Sequence, residues 1–437
     1  KIEFGFICMK KTKVLMLGWE FPPIINGGLG VACLGLSKAL SKQVELTLIL
    51  PKSDPSIALN LVDIIGLNQQ ERIRIREDFQ TNFYEELENV YTLPTTIAPY
   101  QTITETQVKT KQVKKSKKQK IVRSEFYKPF ELENLYGNDT IQKVIEYATV
   151  SADLCMEWDF DVIHCHDWMT MLAGVEIKQR TGKPLVLHVH SLEYDRNQGN
   201  TDSWVYQVEK HAMEQADAIL PVSNYTGNIA VAHYGINPRK IHSVHNGVEK
   251  VIPYKVDKPF PEKIVLFIGR VTHQKGPEYF VEVASKVLQE YPLARFVVAG
   301  TGDKLKELIE TGAHKHLGLN IHFTGFLSKE KIHDLLAMAD VYCMPSVSEP
   351  FGLSALEAAQ FGVPCVVSKQ SGVSEVLMGA LKVDFWDVDK MAHYILMLLK
   401  DPTFAKTISE NAQFDLEYCT WENAAIEIQE VYKKLLA

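Results

Sequence analysis

The sequence predicts an α/β protein with two doubly wound domains, each built on a parallel sheet with helices on both faces. With 437 residues, the chain is too long for one compact core and fits two domains of ordinary size. Short apolar runs, typical of buried strands, alternate with helical stretches on either side of a proline-containing segment. We therefore expect an extension at 1–12, domains at 13–248 and 263–408, a linker at 249–262 and a C-terminal helical segment at 409–437.

Composition narrows the class of protein. Apolar residues make up 46% of the chain and charged residues 23%, as in an ordinary globular protein. The net charge of −7 argues against a nucleic-acid binder driven by bulk charge. No apolar run approaches the ~18 residues that a membrane-spanning helix needs. We expect neither nucleic acid nor a membrane span among the partners.

The cysteines and the N-terminal residues indicate the cellular compartment of the protein. The seven cysteines form no Cys-x-x-Cys pair, which is typical of reduced, mostly buried thiols in a cytoplasmic protein. Met9-Lys10-Lys11 looks like a natural start, so we interpret the residues before it as an upstream extension. Their apolar stretch is too short for a signal peptide.

The first domain opens with an apolar strand that leads into a glycine loop. The run from Lys13 to Gly18 predicts the strand, and Asn26-Gly27-Gly28-Leu29-Gly30 precedes a helix expected from Val31 to Leu40. A glycine loop at a helix N-terminus suits a phosphate group. Two alternatives remain open, a tight turn that needs glycine and a dinucleotide loop, although Cys33 stands where the third fingerprint glycine would be.

A basic segment follows later in the first domain. Lys109 to Arg123 contain eight basic residues and no acidic one. No aromatic residue interleaves with them, which is unlike a single-stranded nucleic-acid site. We interpret the segment as a solvated loop, and contact with an anionic ligand stays open.

Histidines mark two predicted strands of the first domain. The strand from Asp161 places His164 and His166 on one face, but the sequence shows no further ligands at zinc spacing. The strand from Pro184 to Ser191 carries His190 at its carboxyl end, where open α/β sheets bind ligands. Two more strands are expected, at 217–223 and 240–248.

The second domain repeats the pattern with a pair of cations. Arg270 and Lys275 follow the predicted strand Ile264–Gly269, in the loop before a helix that starts at Pro277. Two cations in a loop at the carboxyl end of a strand suit a diphosphate, although exposed surface charges are the commoner reading.

The stretch at 345–364 carries the strongest signal. Glu349 precedes a proline and so belongs in a loop, and the helix after it ends at Gly362 and Pro364. The first N–H groups of that helix form an anion site. Glu357 lies eight residues after Glu349, roughly 12 Å along a helix, whereas two carboxylates acting on one bond need about 5 to 9.5 Å. The two glutamates are therefore expected to hold different parts of one extended ligand with phosphate in its middle.

Taken together, these motifs resemble the retaining glycosyltransferases of family 4 (group 1). The resemblance rests on Glu-Pro-Phe-Gly-Leu with a second glutamate at 349–357, Gly-Arg-x-x-x-Gln-Lys-Gly at 269–276, the glycine loop and His-x-His-Asp-Trp at 164–168. It runs from about Lys13 to the C-terminus. It implies the GT-B fold, in which two Rossmann-like domains face each other across a cleft and the terminal helices cross back to the first domain.

The resemblance also implies residue roles. A nucleotide-diphospho-sugar donor would bind mainly the second domain and a glycan acceptor would enter from the first, with no metal and no cofactor. The catalytic set is then His190, Glu349, Arg270 and Lys275. The donor-binding set is Gly27, Gly28, Gly325, Phe351, Gly352, Leu353, Ser354 and Glu357, with Glu357 at the ribose and the Gly352–Leu353 backbone at the phosphates. The acceptor side is His166, Asp167 and Asp195.

The acceptor is less well defined. Trp-Glu-Phe-Pro-Pro at 19–23, Gly-Gly-Leu-Gly and His-Asp-Trp resemble the glycogen synthases, so α-glucan extension with glucose is the first hypothesis. Ile25 replaces a lysine of the bacterial synthases, and Phe351 replaces their cysteine. Transfer to a lipid-linked, cell-envelope or sugar-phosphate acceptor is the alternative. An NAD-dependent oxidoreductase on the Gly28–Gly30 loop and an idle glucan-binding protein are more distant hypotheses.

Overall fold

The computed structural model describes residues 11–25, 27–56, 59–70, 73–75, 126–128, 130–132, 134–137 and 139–437. These residues form two parallel six-stranded sheets and one short antiparallel pair of strands. The basic segment at 109–123 lies outside the described residues, so its interpretation stays a prediction. The two doubly wound domains predicted from the sequence are confirmed.

The first sheet has the strand order β3-β2-β1-β6-β7-β8. Its strands are β1 (Lys13–Leu17), β2 (Glu45–Leu50), β3 (Val62–Gly66), β6 (Val162–His166), β7 (Leu185–Val189) and β8 (Ala218–Pro221), and β4 (Ile73–Ile75) pairs separately with β5 (Phe126–Lys128). The central strands β6 and β7 are buried along their whole length, as expected of parallel strands covered on both faces. The order reverses between β1 and β6, so this is the switch point where such sheets bind ligands.

The second sheet repeats that order as β11-β10-β9-β12-β13-β14. Its strands are β9 (Lys263–Ile268), β10 (Ala294–Ala299), β11 (Ile321–Gly325), β12 (Val341–Met344), β13 (Cys365–Ser368) and β14 (Leu381–Val383). Its switch point lies between β9 and β12. The loop after β9 carries Arg270 and Lys275, and the loop after β12 carries Glu349, so both follow the strands at this switch point.

Helices cover both sheets. In the first domain they are α1 (Gly28–Leu40), α2 (Thr140–Leu154), α3 (Trp168–Thr181), α4 (Glu193–Arg196), α5 (Trp204–Gln215) and α6 (Asn224–Tyr234). In the second they are α7 (Pro277–Glu290), α8 (Leu305–His314), α9 (Lys329–Met338), α10 (Leu353–Gln360), α11 (Val373–Val376), α12 (Val388–Lys400) and α13 (Pro402–Asp415), followed by α14 (Trp421–Leu436). Short 3₁₀ turns occupy Leu67–Gln69, Pro238–Lys240 and His273–Lys275. Within the described ranges, no helix is long and apolar enough to cross a membrane.

The last helix returns to the first domain. Its buried residues, including Trp421, Ile428 and Tyr432, pack in the same core cluster as β1, β6 and β7. The chain therefore crosses between the domains twice, once after β8 and once before α14. The two crossings touch, because the backbone N–H of Val248 donates to the carbonyl of Cys419 at 3.0 Å.

Two sequence expectations differ from the structure. The segment 240–248 was expected to be a strand, but it is an extended crossing segment with a single bridge from Ile241 to Ile219. Its first residues lie beside β8, since the backbone N–H groups of His242 and Val244 donate to the carbonyls of Ile219 and Pro221 at 2.9 Å, but the pairing is too short to form a strand. Helix α1 begins at Gly28, three residues earlier than the expected Val31, so the glycine loop supplies the first turn of the helix.

Gly247 offers a test of the double crossing. A Cβ at this position would lie 2.2 Å from the backbone nitrogen of Trp421 and 2.4 Å from the carbonyl carbon of Thr420. Backbone cannot move aside as a side-chain end can, so Gly247→Ala should lower stability by about 1–3 kcal/mol. Thermal unfolding measures the effect. Gly318→Ala is the matched control, because its Cβ would meet nothing within 4 Å. Equal melting temperatures for both variants would contradict the packing argument.

Candidate functional site

Two helix N-termini meet across the cleft between the domains. A Cβ at Gly28, the first residue of α1, would lie 3.8 Å from Cδ1 of Leu353, the first residue of α10. Gly27 is the residue before α1 and has extended backbone. The first N–H groups of a helix have no partner within the helix, and the helix dipole adds positive potential there. Two such ends at one place form a binding position for an anion.

The loop after β12 is fixed to the loop after β9. Gly276 has a φ of +61°, and a Cβ there would lie 2.2 Å from the carbonyl oxygen of Pro345. The carbonyl of Gln274 accepts from the backbone N–H of Val347 at 3.0 Å. Only a glycine allows the two loops to approach this closely. The approach brings Lys275 to Glu349.

Lys275 and Glu349 form an ion pair through Nζ and Oε2. Glu349 is buried, with 6% exposed. Its own backbone is held on both sides, since its N–H donates to the carbonyl of Gln370 at 2.9 Å and its carbonyl accepts from Gly372 at 3.0 Å. The carboxylate is therefore held in a fixed position beside the two helix N-termini.

The start of α10 is shaped by one glycine. Gly352 has a φ of +111°, which favours glycine, and a Cβ there would lie 3.1 Å from Cγ1 of Val373. Phe351 before it is buried and anchors the turn in the core of the second domain. Ser354 in the first turn shares a hydrogen bond of 2.7 Å with the hydroxyl of Tyr342. The backbone N–H groups at 352–354 are thus presented to the cleft by a rigid turn.

Three other predicted donor residues are placed around this turn. Glu357 is partly buried on α10, and burial raises the pKa of its carboxyl group. Gly325 ends β11 with a φ of +70°, and a Cβ there would meet nothing within 4 Å, so it borders open space. Arg270 follows β9 directly after Gly269. All three lie in the second domain, on loops or the helix that follow the carboxyl ends of its strands.

His190 follows β7 in the first domain, with His166 behind it. The two rings are joined by a hydrogen bond of 2.9 Å between Nδ1 of His166 and Nε2 of His190. Burial lowers the pKa of His190 to about 3, so the ring is neutral at physiological pH. The sequence placed His166 on the acceptor side of the cleft, but it is fully buried. It therefore contacts His190 and not the open cleft.

His188 adds a contact that the sequence spacing did not reveal. It is the strand neighbour of His166, and His164, His166, His188 and His190 form one array of imidazole rings. Burial lowers the pKa of His164, His166 and His188 well below the usual range, so the array is neutral.

Ligand nitrogens of His164, His166 and His188 all lie within 4.8 Å of one another. A zinc ion binds imidazole nitrogen at about 2.0–2.1 Å, in the plane of each ring. The planes of His166 and His188 are stacked, with 22° between them and centroids 5.2 Å apart. Stacked rings do not direct their lone pairs to one point, so we interpret the array as packing beneath His190.

Asp167 connects the array to the loop after β7. Its Oδ1 accepts from the backbone N–H groups of His190 at 2.6 Å and Ser191 at 3.3 Å. It has a φ of +58°, a conformation that is costly for a residue with a side chain and is maintained by surrounding contacts. Burial raises the pKa of Asp167 to about 7. Like His166 it is buried, so it positions His190 and does not line the open cleft.

Asp195 reaches across the cleft. Its Oδ1 accepts from the hydroxyl of Ser348 at 2.6 Å, and Ser348 in turn accepts from Tyr225 of the first domain at 3.0 Å. Burial raises the pKa of Asp195 to about 6, and the nearby Glu349 adds to that rise. Its Oδ2 is buried without a hydrogen-bond partner among the described residues. Ser348, the residue before Glu349, thus bonds to two residues of the first domain.

A second connection between the domains involves Glu375. Its carboxylate accepts from the backbone N–H groups of Asn224 at 2.9 Å and Tyr225 at 2.7 Å, at the N-terminus of α6. His245 adds a contact of 2.7 Å. Burial works to raise the pKa of Glu375, but these hydrogen bonds outweigh it and the pKa is lowered. No local pattern predicts this contact, because Glu375 and the start of α6 are about 150 residues apart.

Pro350 completes the set of contacts across the cleft. Its carbonyl accepts from the hydroxyl of Ser223 at 2.6 Å and from that of Thr226 at 3.3 Å. The loop at 348–350 is therefore held by the first domain on one side and by Lys275 on the other.

Two doubly wound domains with facing switch points, an anion position made by two helix N-termini and a buried carboxylate–lysine pair define a GT-B glycosyltransferase. Residues 13–237, just over half of the chain, match the starch synthase catalytic domain, and residues 249–414 match the glycosyl transferases group 1. The chain therefore belongs to the glycogen- and starch-synthase-like glycosyltransferases of group 1. The family, the GT-B fold and the glycosyltransferase class predicted from the sequence are confirmed.

Relatives match over nearly the whole chain. An uncharacterized glycosyltransferase of Methanocaldococcus jannaschii is 27% identical over 96% of this chain and 98% of its own. The glycogen synthase of Mycobacterium tuberculosis is 25% identical over 96% of this chain and 94% of its own. Among solved structures, the catalytic domain of starch synthase IV from Arabidopsis thaliana, bound to ADP and acarbose, matches with a TM-score of 0.66 and 15% identity, covering 98% of this chain and 100% of that one. At that identity the structural match shows the fold alone.

Asp167 gives a prediction about pH. Its pKa of about 7 in the folded protein lies above the ~3.9 of an unfolded aspartate, so the folded state binds more protons between those values. Ionisation of Asp167 therefore lowers stability as pH rises from about 4 to about 7. Asp167→Asn keeps an oxygen for the N–H of His190 but does not ionise. We expect its melting temperature, relative to the wild type, to increase over that range. A difference that does not change with pH would contradict the assignment.

Ser348 gives a prediction about the contact across the cleft. Ser348→Ala removes the hydroxyl shared by Asp195 and Tyr225, and a hydrogen bond to a charged group contributes about 1.5–3 kcal/mol. We expect kcat/KM for glycosyl transfer to fall about tenfold or more, and the melting temperature to fall as well, because the buried carboxylate of Asp195 loses its partner. Ser374→Ala is the control, because that hydroxyl donates to backbone carbonyls within the second domain. Equal kinetics for the two variants would show that the contact is dispensable.

Proposed function

We propose that this protein transfers glucose, with retention of configuration, from a nucleotide-diphospho-glucose to the end of an α-glucan chain. The observation that carries the proposal is the meeting of two helix N-termini at Gly28 and Leu353, beside the Lys275–Glu349 pair. This arrangement suits a diphosphate joined to a sugar. The diphosphate needs N–H donors and positive charge, whereas the sugar hydroxyls can donate to a carboxylate. The glycogen synthase relative supports glucan as the acceptor.

The donor would lie along the second domain. Its diphosphate takes the backbone N–H groups at Gly352 and Leu353, with Gly27 and Gly28 forming the opposite wall. Glu349 accepts hydrogen bonds from sugar hydroxyls, since it lies in the loop that leads into this turn and Lys275 holds its carboxylate in place. Glu357 binds the ribose and Gly325 borders the base, in open space at the end of β11.

The reaction then requires stabilisation of negative charge on the leaving diphosphate. The acceptor oxygen bonds to the anomeric carbon while the bond from that carbon to the diphosphate oxygen breaks, and the electron pair leaves with the diphosphate. The hydroxyl proton passes to the departing phosphate oxygen on the same face of the sugar. Arg270, Lys275 and the two helix N-termini stabilise the developing charge. His190, neutral and held by His166 and Asp167, contacts the sugar near the reacting carbon.

Asp195 supplies the acceptor side in this scheme. Its Oδ2 is buried without a partner among the described residues, so it can accept a hydrogen bond from an acceptor hydroxyl. Arg196 beside it is occupied, since its guanidinium donates to Glu209 at 2.7 Å and to Ser191 at 2.5 Å. We therefore assign the acceptor contact to Asp195 and not to Arg196.

We propose that the transfer needs no metal ion and no cofactor, because lysine, arginine and helix N-termini neutralise the diphosphate. Transfer rates that are unchanged after treatment with a chelator would support this. We also place the reaction in the cytoplasm. The cysteines among the described residues are free and buried, as expected of a reducing compartment.

A donor screen tests the proposal. UDP-glucose, ADP-glucose and GDP-mannose are compared by thermal shift, and then by turnover with glycogen and maltooligosaccharides. We expect stabilisation by a nucleotide-glucose and turnover with glucans. Binding of NAD without stabilisation by any nucleotide sugar would overturn the transferase assignment for this cleft.

The replacement of the synthase lysine by Ile25 favours a second candidate, transfer to a sugar phosphate or a lipid-linked acceptor. Turnover with such acceptors and none with glucans would select it over the glucan proposal. The donor contacts assigned above would be unaffected by that outcome.

Glu349 and Lys275 give the sharpest test of the site. Glu349→Ala and Lys275→Ala should each lower kcat by about a hundredfold or more, the size of effect seen when one preorganised charge-stabilising group is removed. Lys400→Ala is the control, because Lys400 pairs with Glu290 at the C-terminal end of α7, the end of that helix far from the loop after β9. Folding is checked by circular dichroism and melting temperature. Near wild-type turnover of either site variant would contradict the assignment.

A further inference from the structure

A buried carboxylate that the proposed mechanism does not use lies behind the acceptor side of the cleft. It belongs to Glu209 on α5, and the side chain is fully buried. Burying a carboxylate is costly unless donors surround it, so the position of Glu209 depends on its partners. Those partners come from the segment after β7 and from the end of α6.

Three donors converge on the two oxygens of Glu209. The backbone N–H of Glu193 lies 3.1 Å from Oε1 and 2.9 Å from Oε2. The guanidinium of Arg196 donates to Oε1 at 2.7 Å, and the hydroxyl of Tyr234 donates to Oε2 at 2.5 Å. That hydroxyl in turn accepts from the backbone N–H of Tyr194 at 3.1 Å. Glu209 is thus joined to three of the four residues of α4, either directly or through Tyr234.

The charge state of Glu209 follows from its burial and its neighbours. Burial raises the pKa of the carboxyl group to about 7, and the nearby Glu193 adds to that rise. The guanidinium of Arg196 and the hydrogen bond from Tyr234 act in the opposite direction and lower the pKa. At about pH 8 the group is therefore mostly ionised and can accept from all three donors.

The segment that this network holds is α4, which carries Asp195. It has only four residues, and a single helical turn is not stable by itself because helix nucleation is unfavourable. None of the four residues is fully buried. Its first two N–H groups, those of Glu193 and Tyr194, are bound by Glu209 and Tyr234. The position of α4 therefore depends on partners outside the helix.

We propose that Glu209 is a positioning residue, which holds α4 and with it Asp195 at the acceptor side of the cleft. The role of Asp195 rests on the proposed function, whereas the anchoring of α4 rests on the hydrogen bonds of Glu209. Ser348 binds the side chain of Asp195 from the second domain, and Glu209 holds the backbone of α4 from the first. Oδ2 of Asp195 keeps its direction towards the acceptor only when both supports are in place.

Hydrogen exchange of the full chain tests the anchoring. Glu209→Gln keeps the size of the side chain but replaces one acceptor oxygen with an amide donor. At about pH 8, with labelling for milliseconds to seconds, we expect the amides of Glu193 and Tyr194 to exchange at least about tenfold faster than in the wild type, as loss of a hydrogen bond to a charged group implies. Glu214→Gln is the matched control, because Glu214 is an exposed glutamate of the same helix. Equal exchange in the two variants would overturn the proposal.

Tyr234→Phe supplies a second and milder variant. It keeps the ring, which stacks on Tyr206 with centroids 4.3 Å apart, and removes only the hydroxyl between Glu209 and Tyr194. We expect faster exchange of the Tyr194 amide. If Glu209→Gln does not fold, this variant decides alone, and unchanged exchange at Tyr194 rejects the anchoring.

Steady-state kinetics test whether the anchoring acts through Asp195. With the donor and acceptor that support transfer, Glu209→Gln should lower kcat/KM for the acceptor about tenfold and leave the dissociation constant of the nucleoside diphosphate unchanged. In an Asp195→Ala background the same substitution should have an effect of about threefold or less, because the side chain that Glu209 positions is absent. Effects that multiply in the double variant would show that Glu209 acts on overall stability alone, which contradicts the positioning role.

The outcomes separate this proposal from the proposed function. Faster exchange in α4, together with no transfer to any acceptor, removes the proposed function and leaves the anchoring by Glu209 standing. Transfer that depends on Asp195, together with unchanged exchange in the variants, removes the anchoring and leaves the proposed function standing. Melting temperatures of all variants show whether a loss of activity comes from loss of fold.

Discussion

Glu349 is a carboxylate with 6% exposed, and burying such a charge is costly unless a cation is held beside it. Lys275 meets that need, and it can do so because Gly276 lets its loop touch the carbonyl of Pro345. The pair thus fixes the loops after β9 and β12 to each other. Removing either partner leaves the other charge uncompensated, so the geometry of the whole second-domain wall depends on this contact.

The first domain depends on the same loop for its own placement. Ser348 and Pro350 lie on either side of Glu349. The hydroxyl of Ser348 donates to Asp195 and accepts from Tyr225, and the carbonyl of Pro350 accepts from Ser223. The position of the first domain relative to the second therefore affects the Glu349 carboxylate through its two neighbours in the chain, Ser348 and Pro350. The cleft couples domain position to the group that we assign to the sugar.

Much of this arrangement could be predicted from sequence because its signals are local. Glycines, prolines and apolar runs placed Glu349, Lys275 and His190 at strand ends, and the fold class followed from their order. Ser348 and Glu375 were missed because their partners lie far away in the chain, where no spacing relates them. His188 was missed because its contact with His166 depends on the register of two neighbouring strands. The predicted strand at 240–248 was wrong because the segment lies beside β8 at its start, and so has the apolar pattern of a strand, while its backbone pairing is limited to one bridge. The boundary of α1 was late because glycine is a poor helix former in isolation.

Glu375 belongs to the second domain but completes a helix of the first. In the structure it fills the N-terminus of α6, and so acts as a tethered anionic ligand of that helix. Because the chain links the carboxylate to the helix, it meets the N–H groups of Asn224 and Tyr225 at a high effective concentration. Dissolved phosphate or sulfate is therefore a weak competitor for this position.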